Sequence, residues 1–237
     1  MLNKINFKKI LSLKEVIFLS LEIIIPIILY FIFNCQDYMN LIGAEIGIIS
    51  IFFLAKASLF GIGLSLLFST FYAITSLNYT YYGEAIIYFA FMIPIGVANG
   101  IIWFRNRFKG TTEVEILSSK RIDFILGPTI AAILTFSLFW LLRYLGTENI
   151  ITSTISLFTS FLALYFQLRR NRFTELFYAA NDIVLIVLWT LATIDDISFI
   201  PIVTCFLFLL INDLYGFFNW SKIQKRQEII KETTSEN

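Results

Sequence analysis

Long apolar runs alternate with short polar breaks along the whole chain. The runs fall near residues 14–33, 39–57, 59–78, 82–104, 122–144, 149–168, 173–193 and 197–220. Each holds about 20 residues, enough as a helix to cross a hydrocarbon core of roughly 30 Å. Eight membrane-spanning helices are therefore predicted. Most breaks are only a few residues long. The exception is the polar stretch "RNRFKGTTEVEILSSKR" between the fourth and fifth runs. The tail from Ser221 is charged and is expected to fray away from the membrane.

Charge placement orders these helices. With the N-terminus on the inner side, 17 of the 18 lysines and arginines fall in inner segments. They begin with Lys4, Lys8, Lys9 and Lys14, and only Arg143 falls outside. An excess of basic residues in short cytoplasmic loops sets topology, so both termini are expected in the cytoplasm. Composition agrees with a membrane protein: 58% of residues are hydrophobic, 15% are charged, and the mean hydropathy is +0.79. A net charge of +1 gives no sign of a nucleic-acid partner. The chain has no histidine, which excludes Ser-His-Asp chemistry and histidine metal sites. Cys35 and Cys205 are isolated, and no phosphate-binding glycine motif occurs, so no metal, cofactor or ATP-driven step is expected. The first apolar run lacks a small-residue cleavage site and reads as a retained helix.

The chain also carries a hidden repeat. The fourth run ends "NGIIWFRN" and the eighth ends "YGFFNWSK". Aligning Gly100 with Gly216 gives an offset of 116 that superimposes runs two to four on runs six to eight. Both units then start outside and finish inside, and the run at 122–144 restores that orientation between them. The predicted architecture is all-α: one N-terminal helix plus a 3+1+3 core of two parallel three-helix repeats. The expected divisions are 1–38 (N-terminus and extra helix), 39–105 (first repeat), 106–148 (loop and linker helix), 149–220 (second repeat) and 221–237 (tail). Trp103 and Trp220 stand where interfacial anchors belong.

The polar residues inside the runs are the functional candidates. "YAANDIVLIVLW" places Asn181 and Asp182 within the seventh run, and "FLFLLINDLYGFFNW" repeats the dipeptide as Asn212 and Asp213. An exposed carboxylate at mid-membrane costs on the order of 2.5–3.5 kcal/mol on insertion scales. These side chains must then face the bundle interior, water or a partner. They can form a binding site or hydrogen-bond helices together. Adjacent helical residues are 100° apart, so both members of a pair cannot face one site squarely. Trp189 lies two turns beyond Asp182 on the same face, a pairing suited to a flat cationic ring. Further candidates are Thr159, Gln167, Glu175 and Tyr178 in the second unit, and Tyr72, Glu84, Tyr88 and Asn99 in the first. At offset 116 Asp182 matches Leu66 and Asp213 matches Val97, so a central site should be asymmetric. It is expected between the two units, lined from runs three, four, seven and eight. Glu45 and Lys56 could pair across helices, and Pro94 is expected to kink its helix.

The stretches "YGEAIIYFAFMIPIGVANGIIWFRN", "RFTELFYAANDIVLIVLWTLA" and "FLFLLINDLYGFFNWSKIQ" resemble the PnuC family of bacterial vitamin-precursor transporters. The resemblance covers about residues 39–224. It implies an architecture like that of SWEET transporters, a homotrimer in the bacterial inner membrane, and transport rather than enzymatic activity. It further implies facilitated diffusion of nicotinamide riboside, with trapping by a cytoplasmic kinase. Thiamine or riboflavin are the alternative substrates. One departure is the segment Glu175-Leu176-Phe177-Tyr178, where many members carry tryptophans. Nicotinamide riboside has a pyridinium charge for Asp182 and Trp189, and a carboxamide and hydroxyls for Asn181, Asn212 and Asp213. A proton-coupled carrier, an intramembrane enzyme acting on lipid, and a membrane scaffold or sensor remain as competing functions.

Overall fold

The computed structural model describes residues 12–235. Eight long helices make up the bundle: α1 (Leu13–Ile32), α2 (Tyr38–Leu54), α3 (Leu59–Asn78), α4 (Tyr82–Arg105), α5 (Asp123–Leu145), α6 (Ile150–Leu168), α7 (Phe173–Asp195) and α8 (Ile200–Ser235). Seven are long and apolar enough to span a membrane, and α2 is a shorter apolar helix of 17 residues. The sequence boundaries hold to within a few residues except at the end of α8. Lys4, Lys8 and Lys9 lie outside the described residues.

Local chemistry starts these helices where they start. Ser12 and Glu15 form a reciprocal capping box on α1. Asp37 accepts from Met39 N at 2.8 Å and Ser58 from Phe60 N, satisfying donors at the starts of α2 and α3. Gly61 lets the α2–α3 turn close, since a Cβ there would lie 2.6 Å from Leu54 N. Pro94 has no N–H and its ring clashes with the carbonyl four residues back. The expected disturbance takes the form of a π-helical segment, Ile87–Met92, just before it.

Helices α2, α3 and α4 pack in sequence, as do α6, α7 and α8. The two groups meet where α2 touches α8 and where α4 touches α6. Helix α5 lies against α6, and α1 lies outside against α2 and α8. Polar contacts hold α1 at three levels. Glu15 pairs with Lys56 at 2.6 Å and accepts from Tyr215 Oη. Glu22, fully buried, accepts from Asn212 Nδ2 at 2.5 Å. Gln36 N donates to Ser198 Oγ at the other end. Lys56 thus takes Glu15 rather than Glu45, because α1 brings a carboxylate to the turn that holds it. Both Glu45 carboxyl oxygens are buried without a hydrogen-bond partner.

Two further expectations are corrected at the basic end of the bundle. Trp103 and Trp220 are not interfacial anchors. Both are fully buried, with ring centroids 5.5 Å apart, and Trp220 Nε1 donates to Leu54 O. The tail does not fray at Ser221 but continues α8 to Ser235. Its partner is the long polar loop, which crosses the basic end as a strap. Val114 N donates to Ala57 O in the α2–α3 turn, and Leu117 N to Arg170 O in the α6–α7 turn. Gln227 of α8 closes the strap from the side, accepting from Ile116 N and donating to Val114 O. Arg226 pairs with Glu113, and Lys231 with Glu115. The apolar tail residues supply too weak a periodicity to announce this helix; its stability comes from the strap.

Gln227 is 1% exposed, so replacing it with alanine strips two buried backbone groups of their partner. Gln227→Ala should cost about 1–3 kcal/mol and lower the detergent-solubilised melting temperature. Lys222→Ala, on a side chain outside this contact, should not. Equal melting of all three proteins would mean that the strap contributes nothing to stability.

Candidate functional site

A cavity lies within the bundle, partly open to solvent. Its walls come from α2, α3, α4, α6, α7 and α8. This is broader than the four helices expected from sequence, because α2 and α6 close the gaps between the two groups. Asp182 and Asp213 project into it, together with Asn181, Tyr178, Gln167, Asn99 and Tyr88. Phe68 and Tyr88 add aromatic surface, while Ser50, Ser65 and Ser69 add hydroxyls. No lysine or arginine is among the described lining residues.

Acidic groups dominate this wall. Asp182 is 3% exposed and Asp213 1%, and Glu175, 2% exposed, lies directly behind Asp213. The Asp213 carboxyl reaches both of the others at hydrogen-bonding distance. Close packing of α7 on α8 makes this possible: a Cβ on Gly216 would lie 2.5 Å from Glu175 Oε2. One oxygen of each acid, Glu175 Oε2, Asp182 Oδ2 and Asp213 Oδ1, has no protein partner. Unpaired buried polar atoms are expensive unless something else satisfies them.

An uncharged hydrogen-bonded frame accompanies the acids. Gln167 Oε1 accepts from Asn99 Nδ2 at 2.9 Å and from Tyr178 Oη at 3.0 Å. These two donors fix the amide orientation, so the Gln167 nitrogen presents its donors elsewhere. Asn181 is held from α6, its Oδ1 accepting from Ser156, Thr159 and Ser160 at 3.3, 2.7 and 3.1 Å. Its carbonyl oxygen is thereby used up.

Other sequence candidates sit off the wall. Thr159 braces Asn181, and Asn212 faces α1 through Glu22. Trp189 is fully buried and separated from the cavity by Tyr72, to whose hydroxyl its Nε1 donates at 2.6 Å. Tyr72 in turn donates to buried Glu84, at 3.5 Å. Trp189 is enclosed by Tyr72, Tyr79, Tyr81 and Phe199, with centroids 5.1–6.3 Å away. Burial pushes the Tyr81 phenol up to about 12, so it remains a neutral donor to Leu188 O. These aromatics pack together at the end remote from the strap, and Trp103 packs on Trp220 at the strap end. Residues that sequence reasoning missed, Phe68, Ser65, Ser69, Ser50 and Met92, look like ordinary membrane-helix residues. The serines bond their own helix backbones, at 2.7–2.9 Å, as such serines commonly do.

Comparisons with known proteins bear on this arrangement. A family model described as Nicotinamide mononucleotide transporter matches residues 37–222, well over half of the chain. The chain is similar to the curated protein Nicotinamide riboside transporter PnuC of Neisseria mucosa. The two are 23% identical over 201 residues, 83% of this chain and 76% of the relative. A solved structure titled "Crystal structure of the Vitamin B3 transporter PnuC" has a similar fold, with a TM-score of 0.81 at 21% identity. That match covers 92% of this chain and 94% of the other.

The position of Trp189 gives a distinct expectation for its removal. Trp189→Ala should lose about 3–5 kcal/mol of stability, as for other buried large-to-small changes, and should remove the donor that Tyr72 Oη accepts from, leaving its bond to Glu84. Trp189→Phe should recover most of the packing. Thermal melting reads both. A stable alanine variant would show that this aromatic cluster is not part of the packed core.

Proposed function

Because the chain belongs to the nicotinamide mononucleotide transporter family, the PnuC-type membrane transporters, we propose that it carries nicotinamide riboside across the bacterial inner membrane. The observation that supports the riboside is the charge of the cavity. Two carboxyls line it, a third stands behind them, and no basic side chain among the described residues faces it. A mononucleotide brings a phosphate, which calls for arginine, lysine or helix N-termini. Here the only charged side chains it would meet among the described lining residues are negative. The riboside has no phosphate and bears one positive ring, which such a wall attracts. Thiamine, another flat cation, is the second reading on the same ground, while riboflavin gains nothing from the acids.

In this reading the ring stacks against Tyr88, Tyr178 or Phe68 rather than Trp189. Asp182 and Asp213 face its charge, and Gln167, Asn99 and Asn181 serve the carboxamide and ribose. Trp189 acts through Tyr72 as part of the outer lid. The inner floor is the Trp103–Trp220 pair. Alternating displacement of lid and floor gives uniport driven by the substrate gradient, which cytoplasmic phosphorylation maintains. The 3+1+3 duplication fits this scheme. It is supported by the reciprocal packing of α2 on α8 and α4 on α6, and by matching turns with left-handed Ala57 (φ 54) and Arg170 (φ 51). The division at 39–105 and 149–220, the homotrimer, and cytoplasmic termini belong to the same reading.

Two measurements test it. Calorimetry on purified protein should show binding of nicotinamide riboside and none of the mononucleotide. Asp182→Asn should weaken the riboside by roughly 10- to 100-fold, the equivalent of about 1.5–3 kcal/mol for a charge-assisted contact. Tighter binding of the mononucleotide would defeat the charge argument. Separately, a C-terminal tag should resist external protease in intact cells, and its cleavage would overturn the orientation.

A further inference from the structure

The three acids of the cavity raise a problem of charge. A carboxylate offers only acceptors, so two carboxyl groups hydrogen-bond only when one of them carries a proton. Asp213 reaches both Asp182 and Glu175, and all three are at least 97% buried. Groups facing the cluster from neighbouring helices supply no positive charge. They are Tyr88 and Asn99 of α4, Gln167 of α6, Tyr178 of α7, Cys205 of α8 and the serines of α2 and α3. The other acids within these helices, Glu84 of α4, Glu45 of α2 and Glu22 of α1, bring no positive charge either. Protons are thus what neutralises the empty cluster.

A cationic ligand offers the same neutralisation without an O–H bond. We propose that binding of a flat organic cation in this cavity releases a proton from the Asp182–Asp213–Glu175 cluster. The inference rests on the cationic-substrate reading above and adds an exchange to it. The O–H bond of the carboxyl breaks, both electrons stay on oxygen, and the proton passes to solvent. The ligand's charge replaces it, so the net charge of the occupied site is that of the empty one. The carboxyl oxygens left without partners are the atoms that a ligand cation then faces. Transport stays uniport when the emptied carrier returns before it takes a proton back, on the side where that proton was released; re-protonation on the side to which the ligand departs would make the cycle a cation–proton exchange.

Linkage fixes the sign of the pH effect. The bound state holds fewer protons than the free state, so affinity falls as pH falls through the titration of the cluster. The fall approaches tenfold per pH unit where one proton is released. An uncharged ligand of the same shape should show no such dependence.

The test is calorimetric titration of the native protein with nicotinamide riboside at one pH, in buffers of different ionisation enthalpy. The slope of observed enthalpy against buffer enthalpy counts the protons. About one proton released per ligand is expected, with none for the uncharged dihydro form of the riboside. Asp213→Asn, whose amide can still donate to Asp182 and Glu175, should bring the slope near zero. A zero slope with native protein that binds the riboside would overturn the exchange and leave the substrate reading standing. Absence of riboside binding by the native protein would overturn both. A slope that survives in Asp213→Asn would place the proton elsewhere and defeat the assignment to this cluster.

Discussion

The bundle is organised around acids that have been taken out of water without a basic partner. Glu22, Glu84, Glu175, Asp182 and Asp213 are all buried, and each lies within an apolar helix. A bilayer offers no water to stabilise such groups, so each must find hydrogen bonds from protein or be satisfied by a ligand or proton. The helix arrangement follows from how each one is met. Glu22 draws α1 onto α8 through Asn212, and Glu84 draws α3 onto α4 through Tyr72. Asp182, Asp213 and Glu175 have no such partner, and the cavity forms beside them. Glu22 and Glu84 each meet a neutral side chain across a helix contact, whereas Asp182 and Asp213 meet a cavity.

The repeated Asn-Asp dipeptide shows the same rule at the scale of single residues. Neighbours on a helix point 100° apart, and in both copies the aspartate lines the cavity while the asparagine bonds an adjacent helix, Asn181 reaching the cavity as well. Asn181 spends its carbonyl on three hydroxyls of α6, and Asn212 spends its amide on Glu22 of α1. The asparagines carry the helix contacts, because an amide can donate and accept inside protein while a carboxylate only accepts.

This separation explains what the sequence could and could not disclose. The eight helices were legible because span length is set by the bilayer, and apolar runs of the required length are rarely anything else. The cavity acids were legible because charge in such a run is exceptional. Trp103, Trp220 and Trp189 were not, since tryptophan at a helix end is equally at home in the interface or in a packed core. Only the neighbour decides, and the neighbour of Trp103 is 117 residues away, a pairing no local pattern encodes. The strap was missed for a related reason. Its buried residues, Val114 and Ile116, sit in a polar stretch, and their partner Gln227 belongs to a tail that reads as solvated.

The strap and the cavity are linked by one continuous helix. Along α8, Asp213 faces the acids, Gly216 rests on Glu175, Trp220 packs on Trp103, and Gln227 grips the strap. An uninterrupted helix transmits displacement along its axis, so in the reading proposed above a shift of Asp213 toward a bound cation would be felt at Trp220. The strap resists that shift at both the α2–α3 and α6–α7 turns, because it hydrogen-bonds Ala57 and Arg170 together with α8. On that reading the two three-helix groups would move with their turns held in common. The α8 segment around Gly216, pressed onto Glu175 with no side chain between them, is where a change of charge inside the cavity would pass into movement of the helix.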